Sequence, residues 1–182
     1  YNLYSKQDLS TNRIAIFAED TYYWDTNVGF LSLNGGLRLS YWDFNKEFLI
    51  SPRVNVNFSP AKYSRWNYRF ATGLYYQSPF YKEYRQAVVD DNGNSIIRLN
   101  KGIKSQRNFQ AIFATDFTFR AMDRPFKLSA EAYYKNLSNL ISYEYDNLKV
   151  TYSGVNDSKG YIMGLDLKLF GQFVEGTDSW LS

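Results

Sequence analysis

The 182-residue chain contains neither cysteine nor histidine. Without cysteine there are no disulfides, no thiol nucleophile and no thiolate metal site. Without histidine the commonest general base and metal ligand is missing, and any catalytic triad that uses it is excluded. No apolar run approaches the ~18 residues of a spanning helix. The N-terminus, Tyr1, lies inside a strand-like pattern rather than a charged segment with an apolar core, so the sequence reads as an interior piece of a longer protein without a signal peptide. One charge sign does not dominate: 21 basic and 18 acidic residues leave a net +3. With no basic stripe, nucleic acid is not an expected partner.

Aromatic residues are abundant, with Tyr 17, Phe 14 and Trp 4. They favour half-buried strands, and in membrane proteins they gather at the two water interfaces. They fall within long apolar/polar alternations. Leu31, Leu33, Gly35, Leu37, Leu39 and Tyr41 share one strand face; Ser32, Asn34, Gly36, Arg38, Ser40 and Trp42 share the other. The alternation returns in Phe48–Ser59, Trp66–Tyr76, Phe109–Arg120, Phe126–Lys135 and Tyr161–Leu169. Arg13–Trp24 is also strand-like, but both its faces mix apolar and acidic residues, so its register is ambiguous. The pattern predicts about seven full strands, the start of an eighth at Trp180, and no helix.

Connections near Asp25, Ala61, Asp123 and Gly176 are short, while two of the three near Phe44, Glu83 and Asp146 are long. Within the first long one, Asn92-Gly93 predicts a small hairpin between Ala87 and Leu99. The second, Asn136–Lys159, reads as a loop. Short turns on one rim and long loops on the other is the layout of an outer-membrane barrel. Trp24, Phe30, Trp66, Phe126 and Trp180 flank the short turns, and Tyr41, Trp42, Phe48, Tyr75, Tyr76, Tyr133 and Tyr134 lie nearer the other rim, as two interfacial belts would. A soluble antiparallel sandwich would show the same alternation. Strands of about 10 to 14 residues, against a usual ~5–6, and turn lengths that alternate by rim favour the membrane. The fold class is therefore all-β: an antiparallel up-and-down meander of long strands, part of a transmembrane β-barrel.

Residues 50–85 then resemble a known family. Ser51-Pro52-Arg53 opens one strand; Gly73-Leu74-Tyr75-Tyr76 ends the next, followed by Pro79, Glu83 and Tyr84. Upstream is Ile16-Phe17-Ala18-Glu19-Asp20. Downstream are Glu131-Ala132-Tyr133-Tyr134-Lys135, Asn139-Leu140-Ile141 and the segment Gly160–Lys168. In order and spacing these resemble TonB-dependent outer-membrane receptors, and the downstream stretch is similar to those of Bacteroidetes-type bacteria. The resemblance implies a plugged barrel of about 22 strands in the bacterial outer membrane, importing a scarce nutrient such as an iron chelate, vitamin or glycan. The implied partners are outer-membrane lipid, the remaining strands, a plug domain, the nutrient ligand and a TonB-type energy-coupling protein. The plug, its coupling box and the family's final strands are not found in this sequence, so residues 1–182 are expected to be a partial barrel domain. Seven strands cannot close antiparallel, which also points to a piece.

The residues expected to face the lumen are Arg38, Arg53, Asn55, Asn57, Asn67, Arg69, Asp116, Glu131 and Asp166. A hydrated wall that pairs its charges and holds a plug explains them, as does contact with a passing solute. Tyr81, Tyr84, Arg85, Tyr143 and Tyr145 are candidates for ligand capture in the outer loops, where aromatic rings stack and hydrogen-bond, or for ordinary loop packing. Asp116 with Glu131 makes a poor acid/base pair without a pocket, and Asp90-Asp91 is too short for a calcium loop. Asn136-Leu137-Ser138 fits a glycosylation sequon that has no meaning in a bacterial envelope. No catalytic residue, metal or cofactor is implied. The other readings are an autonomous small barrel or adhesin-like binding module, favoured by an even strand count closed by hydrogen bonds, and a barrel lipase, weakened by the missing histidine.

Overall fold

A computed structural model describes residues 10–89, 95–146 and 149–182. The long strands are β1 (Arg13–Thr26), β2 (Gly29–Trp42), β3 (Glu47–Pro60), β4 (Trp66–Gln77), β7 (Gln106–Ala121), β8 (Arg124–Leu140), β11 (Ser158–Val174) and the shorter β12 (Thr177–Leu181). They form one 8-stranded antiparallel sheet in the order β1-β2-β3-β4-β7-β8-β11-β12. Consecutive long strands are neighbours throughout, which makes the sheet a meander. Two small hairpins stand apart from it, β5 (Arg85–Val89) with β6 (Ser95–Leu99) and β9 (Tyr143–Asp146) with β10 (Lys149–Tyr152). The described residues contain no helix. β1 and β12 are the two edges of the sheet and are not hydrogen-bonded to each other.

Cross-strand pairing keeps the two faces separate along the whole sheet. Leu33 pairs with Val56, Val56 with Phe70, Phe70 with Phe113, Phe113 with Ala132, and Ala132 with Leu165. Directly opposed residues share a face, so this row runs apolar from one side of the sheet to the other. The next row, Ser32, Asn57, Arg69, Ala114, Glu131 and Asp166, is largely polar. Pairing also settles β1. Ile16 opposes Leu39 and Ala18 opposes Leu37, so Ile14, Ile16, Ala18, Tyr22 and Trp24 join the apolar face. Asp20 joins it as an exception, opposite Gly35.

The apolar face is not covered by a second layer. Phe113 is 50% exposed, and Met163 and Leu165 are each 65% exposed. A soluble sandwich would bury this face in its core. Here the wide apolar face requires an apolar surrounding instead.

The connections differ by rim. Tight turns fall at Asn27–Val28, 61–65, Met122–Asp123 and Glu175–Gly176. In the Met122–Asp123 turn both residues are left-handed, with φ 51 and 59, the signature of a type I′ hairpin matched to strand twist. The opposite rim carries segments 43–46, 78–105 and 141–157. The last of these holds the β9–β10 hairpin, where the sequence read as loop, and β8 and β11 run further into it than their alternation suggested. The Asn92-Gly93 turn and Asp90-Asp91 lie outside the described residues, although Val89 and Ser95, on either side, are paired.

Aromatic rings continue from strand to strand near the tight turns. Trp66 and Phe117 have centroids 4.6 Å apart, Phe119 and Phe126 5.6 Å, and Phe126 and Phe173 5.4 Å. Gly171 is needed here, because a Cβ at that position would overlap the Phe126 ring. Not every aromatic near a rim joins a belt. Phe30 opposes Asp25 and stacks on Tyr23 at 5.9 Å on the polar face, and Trp42, Tyr75 and Tyr133 also belong to that face.

The buried core lies at the long-loop rim. Trp42, Phe44, Tyr84, Ile103 and Ile141 pack together, with Trp42 only 2% exposed. Burying such side chains contributes roughly 1.5–3 kcal/mol each. Polar side chains tie the loops around this cluster. The Glu47 carboxylate accepts from Ser105 N at 2.9 Å and Ser105 Oγ at 2.6 Å. Asn156 receives Lys104 N at 2.7 Å and donates to Asn139 O at 2.8 Å. Asn139 is left-handed (φ 56), at a register shift between β8 and β11. Asp43 accepts from Thr11 Oγ1 at 2.6 Å and Asn12 N at 2.9 Å, and Trp42 Nε1 donates to Thr11 at 2.7 Å.

The hydrogen bond from Thr11, followed by that from Asn12, holds the Asp43 carboxyl below its ordinary 3.8. A depressed folded-state value means the clamp stabilises above the ordinary value and is lost as pH falls through the lower, folded one. Replacing Asp43 with Ala is expected to speed amide exchange at residues 10–14 at neutral pH, and the difference from wild type should disappear well below pH 3.8. Equal exchange at neutral pH would show that the clamp does not form. Gly171→Val forces Phe126 aside and is expected to cost about 1–3 kcal/mol in denaturant unfolding. An unchanged midpoint would show that the ring has room to move.

Candidate functional site

The polar face is a network of short side chains with charged groups set into it. Asn34 Nδ2 donates to Glu19 Oε1 at 3.0 Å and to Thr21 Oγ1 at 2.8 Å, while its own oxygen accepts from Asn55 Nδ2 at 3.0 Å. These bonds link β1, β2 and β3. Ser59 Oγ donates to Asn67 Oδ1 at 3.1 Å. Arg69 and Asp116 pair at 3.2 Å across β4 and β7, and Ser129 Oγ from β8 donates to the same carboxylate oxygen at 2.6 Å. Asp116 is thereby committed to structural bonds, which removes it from any acid/base pairing with Glu131. Glu131 and Asp166 oppose each other directly on β8 and β11 and have no ion pair among the described residues. The Asn57 side-chain oxygen is buried without a hydrogen-bond partner.

Nearer the long-loop rim the same face forms a cavity of about 420 Å³. Arg13 of β1, Arg38 of β2 and Arg53 of β3 line it, with Ser40, Ser51, Ser78, Trp42 and Tyr75. Two of the guanidiniums lie on aromatic faces. Arg13 is 4.3 Å from the centroid of Trp42, and Arg53 is 5.3 Å from that of Tyr75. Such contacts hold a guanidinium flat while leaving its N–H edge free. Arg38 Nε reaches Ser40 Oγ at 3.5 Å. None of the three arginines has an ion pair among the described residues. No acidic residue is in its lining among the described residues; Glu19 lines the adjoining cavity with Arg38 and Arg53.

The outer loops divide into packed and exposed residues. Tyr84 is 4% exposed, with Phe44 4.8 Å away and Trp42 6.0 Å away. Burial pushes its hydroxyl pKa up, with Arg13 acting in the opposite direction. The Tyr84 side chain therefore builds the rim core and offers no ring to solvent. Glu83 is buried as well, accepting from Phe80 N at 2.6 Å. Tyr81 remains partly exposed, and the Arg85 guanidinium lies 5.3 Å from its ring. On the β9–β10 hairpin Tyr143 and Tyr145 stand 6.0 Å apart, edge to face, and Tyr145 is 74% exposed.

Of the polar residues read from the sequence, the structure brings Arg38 and Arg53 into one cavity, and Arg69 and Asp116 into one ion pair. It sets Glu131 directly opposite Asp166, and Asn67 opposite Asp116. Arg13 is a member of the cavity that sequence reasoning missed. Its signal was obscured because the face of β1 depends on which residues of β2 oppose it, and that pairing (Arg13 with Trp42) is not visible in β1 alone. The site offers cationic, hydroxyl and aromatic contacts. Among the described residues there is no group of three or more Asp or Glu placed to hold a metal ion.

Residues 1–181 match the family model for the TonB dependent receptor-like beta-barrel. No curated protein and no solved structure matches the chain. The family match covers almost the whole sequence and agrees with the all-β meander, the exposed apolar face and the asymmetric rims. The chain belongs to the TonB-dependent receptor-like β-barrel family.

Proposed function

We propose that this chain is a segment of the barrel wall of an outer-membrane receptor that takes up a scarce nutrient by energised transport. The observation that carries this reading is the combination of an exposed apolar face, a hydrogen-bonded polar face and two sheet edges without partners. In hydrocarbon each unsatisfied backbone group costs several kcal/mol. The edges of β1 and β12 therefore call for further strands of the same receptor, which would close the ring around a plug. The 8-stranded sheet has an even strand count, but its order is open, which disfavours an autonomous small barrel.

In this reading the apolar face meets outer-membrane lipid and the polar face lines the plug chamber. The long-loop rim faces outward, where Tyr81, Arg85, Tyr143 and Tyr145 meet the nutrient. An iron chelate, a vitamin and a glycan each offer surfaces that aromatic rings can stack on. A TonB-type protein would pull on the plug to release the bound solute inward. The wall itself supplies no chemistry beyond binding and orientation.

The test is uptake by cells whose receptor contains this chain. Accumulation of its nutrient is expected in cells with the coupling protein and to fall to background in cells without it. Tyr143→Ala with Tyr145→Ala is expected to weaken binding to whole cells by roughly five- to tenfold, the scale of two lost aromatic contacts. Equal uptake with and without the coupling protein would overturn the reading.

A further inference from the structure

The cavity lined by Arg13, Arg38 and Arg53 has an electrostatic problem that no ion pair among the described residues solves. Three guanidiniums face one space of about 420 Å³ with no carboxylate in its lining among the described residues. Arginine does not lose its proton in proteins, so the repulsion cannot be relieved by titration. Elsewhere on the same face the sheet does satisfy an arginine, at Arg69, with Asp116 at 3.2 Å. Arg120 on this face also has no ion pair among the described residues, but it stands singly and donates to Asp123 O at 2.8 Å; the cavity instead gathers three such guanidiniums.

The way two of them are held supports a ligand site. Trp42 and Tyr75 fix two guanidinium planes from behind through their ring faces. Ser40 and Ser51 add hydroxyls on the same wall. Trp42 is anchored in turn by the rim core and by its bond to Thr11. Arg13 and Arg53 thus stand on a rigid backing, and little of their rotamer freedom remains to be lost when an anion arrives. Planar, forked donors match the paired oxygens of carboxylate and phosphate.

We propose that this cavity is a binding subsite for a multivalent anion, a polycarboxylate or phosphate-bearing solute, taken from the outer side of the barrel. The subsite rests on the transport reading for its position on a solute path and names the ligand chemistry of that path. Glu19 lines the adjoining cavity with Arg38 and Arg53, in the same cross-strand row as Arg53 with Gly36 between them; it accepts from Asn34 at 3.0 Å and has no ion pair with either arginine among the described residues. A carboxylate from the receptor's own plug has the same chemistry as the solute and is the competing source.

The experiment is calorimetric titration of the intact purified receptor in detergent with two probes, citrate and inorganic pyrophosphate. Saturable binding of at least one probe is expected. It should weaken as salt is raised, and roughly tenfold or more in Arg38→Gln and in Arg53→Gln, the scale of a lost charge-assisted hydrogen bond. Arg53→Lys, which keeps the charge, should retain part of the affinity and serves where a glutamine variant fails to fold. Arg120→Gln, at the tight-turn rim, should bind like wild type. No saturable binding of either probe, or binding unchanged in every cavity variant, would overturn the proposal. If the arginine variants instead lower the unfolding midpoint while neither probe binds wild type, the plug is the source of the anion and the solute site is refuted. Loss of coupled uptake is measured separately, so probe binding that persists in a receptor without energised transport would sink the transport reading and leave the anion site standing.

Discussion

A strand surrounded by hydrocarbon has no water to bond to, so every backbone donor and acceptor must find its partner within the sheet. The rest of this structure follows from that constraint. Strands such as β8, at 17 residues, are long enough to cross an apolar layer and continue beyond it. Consecutive strands pair as neighbours, since a meander satisfies the ladder with the shortest connections. The strict register keeps Phe70, Phe113 and Leu165 on the apolar face and Arg69, Glu131 and Asp166 on the polar one. A slip by one residue would exchange the two sets and place charges against lipid. Asp20 is where the rule is bent. Its carboxylate stays on the apolar face, but it accepts from Thr21 N at 2.8 Å, so part of its demand is met by its own strand.

The two faces solve opposite problems. Outward side chains need only be apolar and well packed against each other, and a continuous series of rings near the tight turns does this at one interface. Inward side chains must satisfy polar atoms at a wall that is wet or in contact with other protein. Short amides and hydroxyls do so with bonds between adjacent strands, as in the Glu19, Asn34 and Asn55 ladder. Such bonds cost little side-chain entropy, because Asn and Ser have few rotatable bonds to fix. Long cationic side chains are stiffened differently, by lying on rings: Arg13 on Trp42, Arg53 on Tyr75 and Lys127 on Phe170.

Most of the wall was legible in the sequence because period-two alternation is a local signal and each long strand from β2 to β11 carries it. The orientation of β1 was not, since Phe17, Glu19 and Asp20 confuse the alternation and only pairing with Leu37, Gly36 and Gly35 assigns the faces. The β9–β10 hairpin was hidden for a related reason. Tyr143–Asp146 is too short for a periodic signal and lies in a polar stretch that resembles loop. The cavity was half legible: Arg38 and Arg53 were visible as inward residues, but their meeting with Arg13 depends on three strands aligned side by side. Tyr84 was read as a loop aromatic, and nothing local distinguishes a ring offered to solvent from one that fills the space beside Trp42 and Phe44.

The loop rim is built unlike a set of free loops. Loops commonly lack their own core and pay for order only when a ligand arrives. Here the largest fully buried side chains among the described residues, Trp42 and Ile103, lie at the end of β2 and in the loops above it, and Glu47, Asn100 and Asn156 bond across segments far apart in sequence. The rim is thus a small folded platform standing on the wall. Trp42 belongs to both, packing with Phe44 and Tyr84 on one side and carrying Arg13 on the other. That shared ring joins the loop core to the arginine cavity by direct packing.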